Sequence, residues 1–220
     1  MKKVTILSAS PKKGEPSVSA LLCALARDRF VNAGLHADII DVGKALKNSE
    51  PAFEMMRSAD ALLIVFPLYF FCLPGMLTRF LEDYAASAGN KQPGQKIFTI
   101  VNCGFPEPDI NDEAMRVIKS FSHHIGAEFG FGVCFGSGGM VLGAKDAPFM
   151  KKAMADLYGA VDRMAAEVIN STNSSSEIVH IGVKVPRWMY FLGGNLGWGQ
   201  TAKKNGLKKR DLYATPYRMK

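Results

Sequence analysis

Four polar side chains near the start of the chain have the types and spacing of an anion cradle. Ser10, Lys12, Ser17 and Ser19 surround the point where an apolar run, residues 3–8, gives way to an amphipathic segment beginning near Ser17. A helix that starts there presents unpaired backbone N–H groups and the positive end of its dipole. Hydroxyls and a lysine suit the remaining oxygens of a phosphate. The stretch holds neither G-x-x-x-x-G-K-[ST] nor G-x-G-x-x-G, which excludes a Walker loop and a dinucleotide fingerprint. A mononucleotide phosphate is the chemistry this leaves. Taken alone, the loop is also compatible with an ordinary strand-to-helix turn and a capping serine. Glu15, inside the loop, repels phosphate unless it points outward.

Two further stretches carry chemistry. Residues 66–75, Phe-Pro-Leu-Tyr-Phe-Phe-Cys-Leu-Pro-Gly, are apolar and aromatic where a loop should be polar. A planar apolar ligand stacked on them explains this better than core filling alone. Asn102-Cys103-Gly104-Phe105-Pro106 places a glycine where backbone can approach a ligand, although a turn glycine at a strand end looks the same. His123 and His124 fall on a helix as exposed polar positions, and no side chain is nominated as a catalytic acid or base. Cys23, Cys72, Cys103 and Cys134 are widely spaced and form no C-x-x-C, so neither a metal site nor a disulfide framework is expected.

The elements that position these loops follow from periodicity. Strands are expected over residues 3–8, 36–42, 61–66, 96–101 and 127–135, with Gly130 and Gly132 weakening the last. Helices are expected from Ser17 to about Ala33, over 51–58, from Pro74, over 112–125 with Asn111 as cap, and over 148–169. Strands alternating with helices imply an α/β fold: a five-stranded parallel sheet in order 2-1-3-4-5 with helices on both faces, a three-layer sandwich. In that order the ligand sits at the carboxyl ends of the strands flanking the switch point, where the loops after strands one, three and four converge.

At 220 residues the chain has room for one sizeable core with some elaboration. The net charge of +7 is unevenly placed. From Glu177 onward there are nine Lys and Arg against two Asp and Glu, which leaves 18 of each sign, from totals of 27 and 20, in residues 1–176. A neutral domain with a basic tail argues against nucleic acid as the partner of the whole chain. Met1-Lys2-Lys3 leads straight into a strand, without the apolar stretch of a signal peptide. No apolar run approaches the ~18 residues of a spanning helix. A cytoplasmic protein without stable membrane insertion is expected. Residues 170–176 read as a polar linker, and the tail beyond carries Trp188-Met189-Tyr190-Phe191-Leu192, Trp198 and a run of lysines. The glycines at 193, 194, 197 and 199 are expected to interrupt any long helix there.

In combination and in order, Leu7-Ser8-Ala9-Ser10-Pro11-Lys12 with Ser17-Val18-Ser19, Pro67-Leu68-Tyr69 with Leu73-Pro74-Gly75, and Asn102-Cys103-Gly104-Phe105 resemble the flavodoxin-like NAD(P)H-dependent FMN reductase and quinone reductase family. The resemblance spans about residues 2–170. It implies a flavodoxin-like FMN-binding domain over 1–170, with 171–220 as a basic, aromatic-rich extension. It implies that FMN is the cofactor and NADPH or NADH the donor. Ser10, Lys12, Ser17, Val18 and Ser19 would contact phosphate; Pro67, Leu68, Tyr69 and Phe70 the ribityl chain and ring; Asn102, Cys103, Gly104 and Phe105 the ring edge. The acceptor would be a small molecule such as a quinone, a nitro or azo compound or free flavin, and the protein a homodimer. Gly43–Ser58 holds no cysteine, so the branch with an iron–sulfur centre is excluded. The rival readings are an electron-transfer flavodoxin, disfavoured by the neutral domain, and a binding module that has lost its flavin. Lys203, Lys204 or Arg210 would attract an anionic nicotinamide cofactor if the tail lay near the flavin.

Overall fold

The computed structural model describes residues 1–12, 15–87, 93–172 and 176–215. Lys13 and Gly14 of the first loop, residues 173–175 of the linker, and Pro216 and Tyr217 of the tail lie outside these. Six parallel strands form one sheet: β1 (Lys3–Ser8), β2 (His36–Asp41), β3 (Ala61–Pro67), β4 (Lys96–Asn102), β5 (Glu128–Phe135) and β6 (Ile178–Ile181), in order β2-β1-β3-β4-β5-β6. The expected order is present, with a correction: the sheet has six strands, not five. The added strand lies in the segment read from sequence as extension. Four residues with a half-exposed pattern give too short a period to stand out beside a polar linker. The first compact unit accordingly runs from Met1 to Val183.

The helices are α1 (Val18–Asn32), α2 (Val42–Ala45), α3 (Glu50–Arg57), α4 (Gly75–Ser87), α5 (Asp112–His124), α6 (Val141–Ala144), α7 (Lys151–Asn170) and α8 (Arg187–Lys204). β3 as far as Phe66 and β4 along its whole length are buried because both faces are covered, which is why residues 61–66 read as an unbroken apolar run and 96–101 as a mostly apolar one. Leu62, Ile64 and Phe66 point into a cluster with Phe53, Leu77, Phe80, Tyr84, Met115 and Ile118 from α3, α4 and α5. On the opposite face α1 packs on β1 and β3 and against α7. There Phe98 and Phe131 meet edge-on at 5.5 Å, and the Arg163 guanidinium of α7 lies 4.2 Å from the Phe131 ring centre.

Gly130 and Gly132 are what allow β5 to pack. A Cβ at Gly130 would stand 2.3 Å from the Phe98 ring, and one at Gly132 would stand 2.2 Å from the Met115 sulfur. Glycine inside this strand marks close approach rather than a break.

Two local expectations are corrected. Asn111 precedes α5 but makes no capping bond; its amide is drawn instead to the Cys103 sulfur, 3.4 Å, and the Pro108 carbonyl, 2.9 Å. In the second unit, Lys184–Lys220, α8 runs unbroken through Gly193, Gly194, Gly197 and Gly199. Glycine lowers helix stability by about 1 kcal/mol each without forbidding the conformation. Among the described residues no helix is long and apolar enough to cross a membrane.

Candidate functional site

The first loop leaves β1 beside β3, where the Ala9 amide donates to the Val65 carbonyl at 3.0 Å. It returns at Ser17, whose extended backbone and hydroxyl cap α1 by accepting from the Ala20 amide at 3.0 Å. Ser10 is half-buried and accepts weakly from the Lys12 amide at 3.4 Å; Lys12 is exposed and Val18 half-buried. Ser8, Ser10, Lys12, Glu15 and Ser17 line a cleft of about 560 Å³ whose other wall is Lys44 and Lys47. These two lysines were missed from sequence. Lys44 lies in a four-residue helix too short to show a pattern and Lys47 two residues beyond it, and only the β1–β2 pairing brings them beside the first loop.

The second loop is a tight two-residue turn. Tyr69 and Cys72 exchange backbone hydrogen bonds of 3.0 and 2.9 Å, with Phe70 and Phe71 at the tip, both at positive φ (47° and 61°). Such a turn ordinarily takes Asn-Gly, because in the left-handed region Cβ crowds the following carbonyl oxygen, which glycine avoids and asparagine offsets by local hydrogen bonding. Here it carries two phenylalanines, 97% and 59% exposed. Backbone strain and solvent-facing rings at a strand's carboxyl end are two costs in one place, which is how a ligand platform differs from core filling. Phe71 shares this exposed tip with Phe70, the one of the two among the expected ring contacts.

The third loop is held from behind. Its Cys103 and Phe105 carbonyls accept from the Gly138 and Ser137 amides at 2.7 and 2.6 Å, and the Cys103 amide donates to Phe135 at 3.0 Å. Gly138 packs closely here, since a Cβ would approach the Cys103 carbonyl to 3.1 Å, tighter than an ordinary contact. Burial pushes the Cys103 thiol pKa up, against weaker opposing hydrogen bonds from Asn111 and Phe105, so it is a protonated packing group and no nucleophile. Gly104 and Phe105 are exposed at the loop's outer side.

Asn102 and Ser19 occupy a different place from the other site candidates. Ser19 is 1% exposed and accepts from Asn102 Nδ2 at 3.0 Å; the same amide donates to the Phe66 carbonyl at 3.0 Å. The Asn102 carbonyl in turn accepts from Leu68 at 2.8 Å. These two side chains tie the roots of all three loops together and face inward. Pro67 and Leu68, half-buried, begin the second loop directly above them.

The arrangement therefore presents a hydroxyl-lined cleft with three lysines against two carboxylates, Glu15 and Asp41, an exposed aromatic turn and an exposed glycine loop at the carboxyl ends of β1, β3 and β4, the switch point of the sheet. These are the surfaces FMN requires: anion contacts, a stacking face and backbone at the ring edge.

Comparison with known proteins agrees. Residues 2–107, which contain all three loops, match the family described as NADPH-dependent FMN reductase. The match bears out the resemblance read from sequence, the NAD(P)H-dependent oxidoreductase class and FMN as cofactor. No curated protein matches the sequence. Among solved structures, the chain is similar to the apo form of an NADH:FMN oxidoreductase (TM-score 0.59, 17% identity, 76% of this chain and 90% of that one). It is also similar to an NAD(P)H:quinone oxidoreductase from Methanothermobacter marburgensis (TM-score 0.59, 16% identity, 76% and 97%). A flavodoxin from Streptococcus pneumonia aligns as well (TM-score 0.53, 15% identity, 77% and 99%). At these identities the structures establish the flavodoxin-like fold.

Proposed function

We propose that the chain is an FMN-dependent NAD(P)H oxidoreductase whose acceptor is a small organic molecule such as a quinone, a nitro or azo compound or free flavin. When bound, FMN supplies the hydride-accepting and hydride-donating chemistry. The protein's own residues bind and orient. Ser10, Lys12, Ser17 and Val18 hold the phosphate at the start of α1. Pro67, Leu68, Tyr69 and Phe70, with Phe71, lie along the ribityl chain and ring. Gly104 and Phe105 offer backbone to the ring edge, while Asn102, Cys103 and Ser19 fix the loops from behind.

The observation that carries this reading is the Phe70–Phe71 turn, because a strained turn tipped by exposed rings is destabilising without a ligand to stack on it. The test is FMN uptake by fluorescence quenching, followed by anaerobic addition of NADH or NADPH to the flavin-loaded protein. Stoichiometric uptake and rapid bleaching, reversed by a quinone, azo or nitro acceptor, are expected. A protein that takes up no FMN would refute the flavoprotein reading. Flavin that binds but does not bleach with either nicotinamide would move the protein to the electron-carrier class.

A further inference from the structure

A second cluster of reactive side chains lies outside the flavin surfaces. Asp112 is the first residue of α5, Cys134 lies near the end of β5 and His180 is in β6. Cys134 and His180 are paired neighbours on adjacent parallel strands, so their side chains leave the same face of the sheet. Asp112 comes down on that face from the helix that covers it. His180 Nε2 stands 2.7 Å from Asp112 Oδ1, and the Cys134 sulfur lies 3.8 Å from the same oxygen. One donor atom from each of the three falls within 4.8 Å of the others.

We propose that Asp112, Cys134 and His180 form a three-ligand site for a divalent cation of the zinc class, with water completing a tetrahedron. Bonds of about 2.0–2.3 Å to S, N and O ligands place tetrahedral donors roughly 3.3–3.8 Å apart. The Cys134–Asp112 separation already meets this. The His180–Asp112 pair has to open by somewhat more than half an ångström, and both side chains are 37% exposed, so that no close packing encloses them. One thiolate, one imidazole and one carboxylate form a borderline-soft set, which suits Zn²⁺ better than Mg²⁺ or Ca²⁺. Cys134 is fully buried and so supplies a fixed wall, while the two partly exposed ligands leave an entry side for the ion and its water.

The charges are consistent with this. Without an ion the site holds the His180–Asp112 hydrogen bond with the Cys134 thiol beside the same carboxylate oxygen. Coordination displaces the thiol proton, and the resulting thiolate and carboxylate balance the ion's two positive charges. The residues lie at 112, 134 and 180, a spacing with no local motif, which is why a cysteine count alone gave no metal expectation. The site adjoins the third loop, since Asn111, next to Asp112, holds the Cys103 sulfur. An ion would therefore pin α5, β5 and β6 together directly behind that loop.

The test is titration of the full chain with Zn²⁺ by calorimetry and with Co²⁺ by absorbance, on the wild type and on C134S, H180A and D112N. One equivalent should bind, with the thiolate-to-cobalt charge-transfer band and tetrahedral d–d bands. C134S should lose the charge-transfer band. Each variant should weaken binding about tenfold or more, at least the loss that follows removal of an outer-shell partner. H180A, a substitution at a partly exposed position, keeps the test valid should C134S fail to fold. No saturable binding, or binding unchanged in H180A and in C134S, would overturn the proposal and leave a hydrogen-bonded cluster only.

Discussion

Asn102 at the end of β4 donates one amide hydrogen to the Ser19 hydroxyl in the first turn of α1, 3.0 Å away, and the other to the Phe66 carbonyl in β3. β3 and β4, which send loops to the switch point, and α1, which receives the loop from β1, are thereby joined through one buried carboxamide. Their relative positions depend on a side-chain bond rather than on the sheet ladder alone, so that bond couples stability to the site.

Removing Ser19 Oγ leaves a buried amide hydrogen without its acceptor, a loss of about 1–3 kcal/mol. S19A should lower the unfolding free energy by that amount and weaken FMN binding, although Ser19 is too buried to touch the phosphate. N102A should do the same, and the S19A/N102A pair should cost less than the sum of the singles. Urea denaturation of the four proteins of the cycle measures the coupling. Additive losses would mean that Ser19 and Asn102 act independently.

At Phe70 and Phe71 stability and function should move in opposite directions. Each non-glycine residue in the left-handed region costs roughly 1–2 kcal/mol. Replacing the tip with the pair that such turns prefer, F70N/F71G, should therefore raise the melting temperature of the flavin-free protein. The same change removes the stacking rings, each worth about 0.5–1.5 kcal/mol beyond area burial, so FMN affinity should drop by about tenfold. Thermal unfolding and flavin fluorescence titration on the same samples read the two effects separately. A variant that is both less stable and weaker in binding would mean that the rings stabilise the flavin-free fold by contacts that outweigh the backbone strain.

How far the sequence carried is instructive at particular residues. The alternation of apolar runs and helical stripes gave β1 to β5 and their order, because strands buried on both faces leave unbroken runs such as Ala61–Pro67. The three loops were legible because aromatic and glycine residues are out of place there. The inward roles of Asn102 and Ser19 were not, since their types suit a ligand contact and a loop clamp equally and only burial separates the two. Lys44, Lys47 and β6 were silent for another reason. Lys44 and β6 belong to elements four residues long, below the length at which a period can be counted, and Lys47 lies in the turn just after one of them.

Glu15 and the lysines around it should set phosphate affinity in opposite senses. Glu15, Lys12, Lys44 and Lys47 line the same cleft, all of them solvent-exposed. A unit charge about 4 Å from phosphate in a water-like medium is worth roughly 1 kcal/mol, about fivefold in affinity. E15Q should tighten FMN binding and K12A or K44A weaken it, by amounts that shrink as salt is added. Riboflavin, which lacks the phosphate, is the control, and its affinity should not change. An equal effect on riboflavin would place these charges elsewhere than at the phosphate.

A pH effect should appear where α1 meets α7. Arg29 grips Asp162 through two hydrogen bonds of 2.6 and 2.5 Å, and this holds the Asp162 carboxyl below its ordinary 3.8 despite a small opposing cost of burial. A carboxyl whose folded pKa is depressed stabilises the fold above its unfolded value and loses that contribution as pH falls through the folded one. Both side chains are substantially exposed, so the pair contributes only about 0.2–1 kcal/mol. The stability difference between wild type and D162N should be constant from pH 5 to 8, begin to shrink near pH 4 and be lost as pH falls further through the depressed folded value. A difference that persists unchanged in acid would assign it to packing around Tyr158, whose ring lies 4.9 Å from the Arg29 guanidinium carbon.

The two strand glycines of β5 make a graded prediction. Alanine at Gly130 drives a Cβ to 2.3 Å from the Phe98 ring, which is wedged against Phe131 and fully buried, so neither ring can yield without disturbing the α7 face. Alanine at Gly132 meets the sulfur and methyl of Met115 at 2.2 and 2.4 Å, the far end of an unbranched chain that can rotate away. Overpacking in a close-packed core costs about 1–3 kcal/mol. G130A should fall at the upper end of that range or beyond, and G132A near the lower end. Urea midpoints of the two variants compare them directly, with equal slopes as the check that the unfolded state is unchanged. If G132A proved the more damaging, the Met115 side chain would be held rigidly by α5, and the helix rather than the aromatic pair would be the inflexible partner of β5.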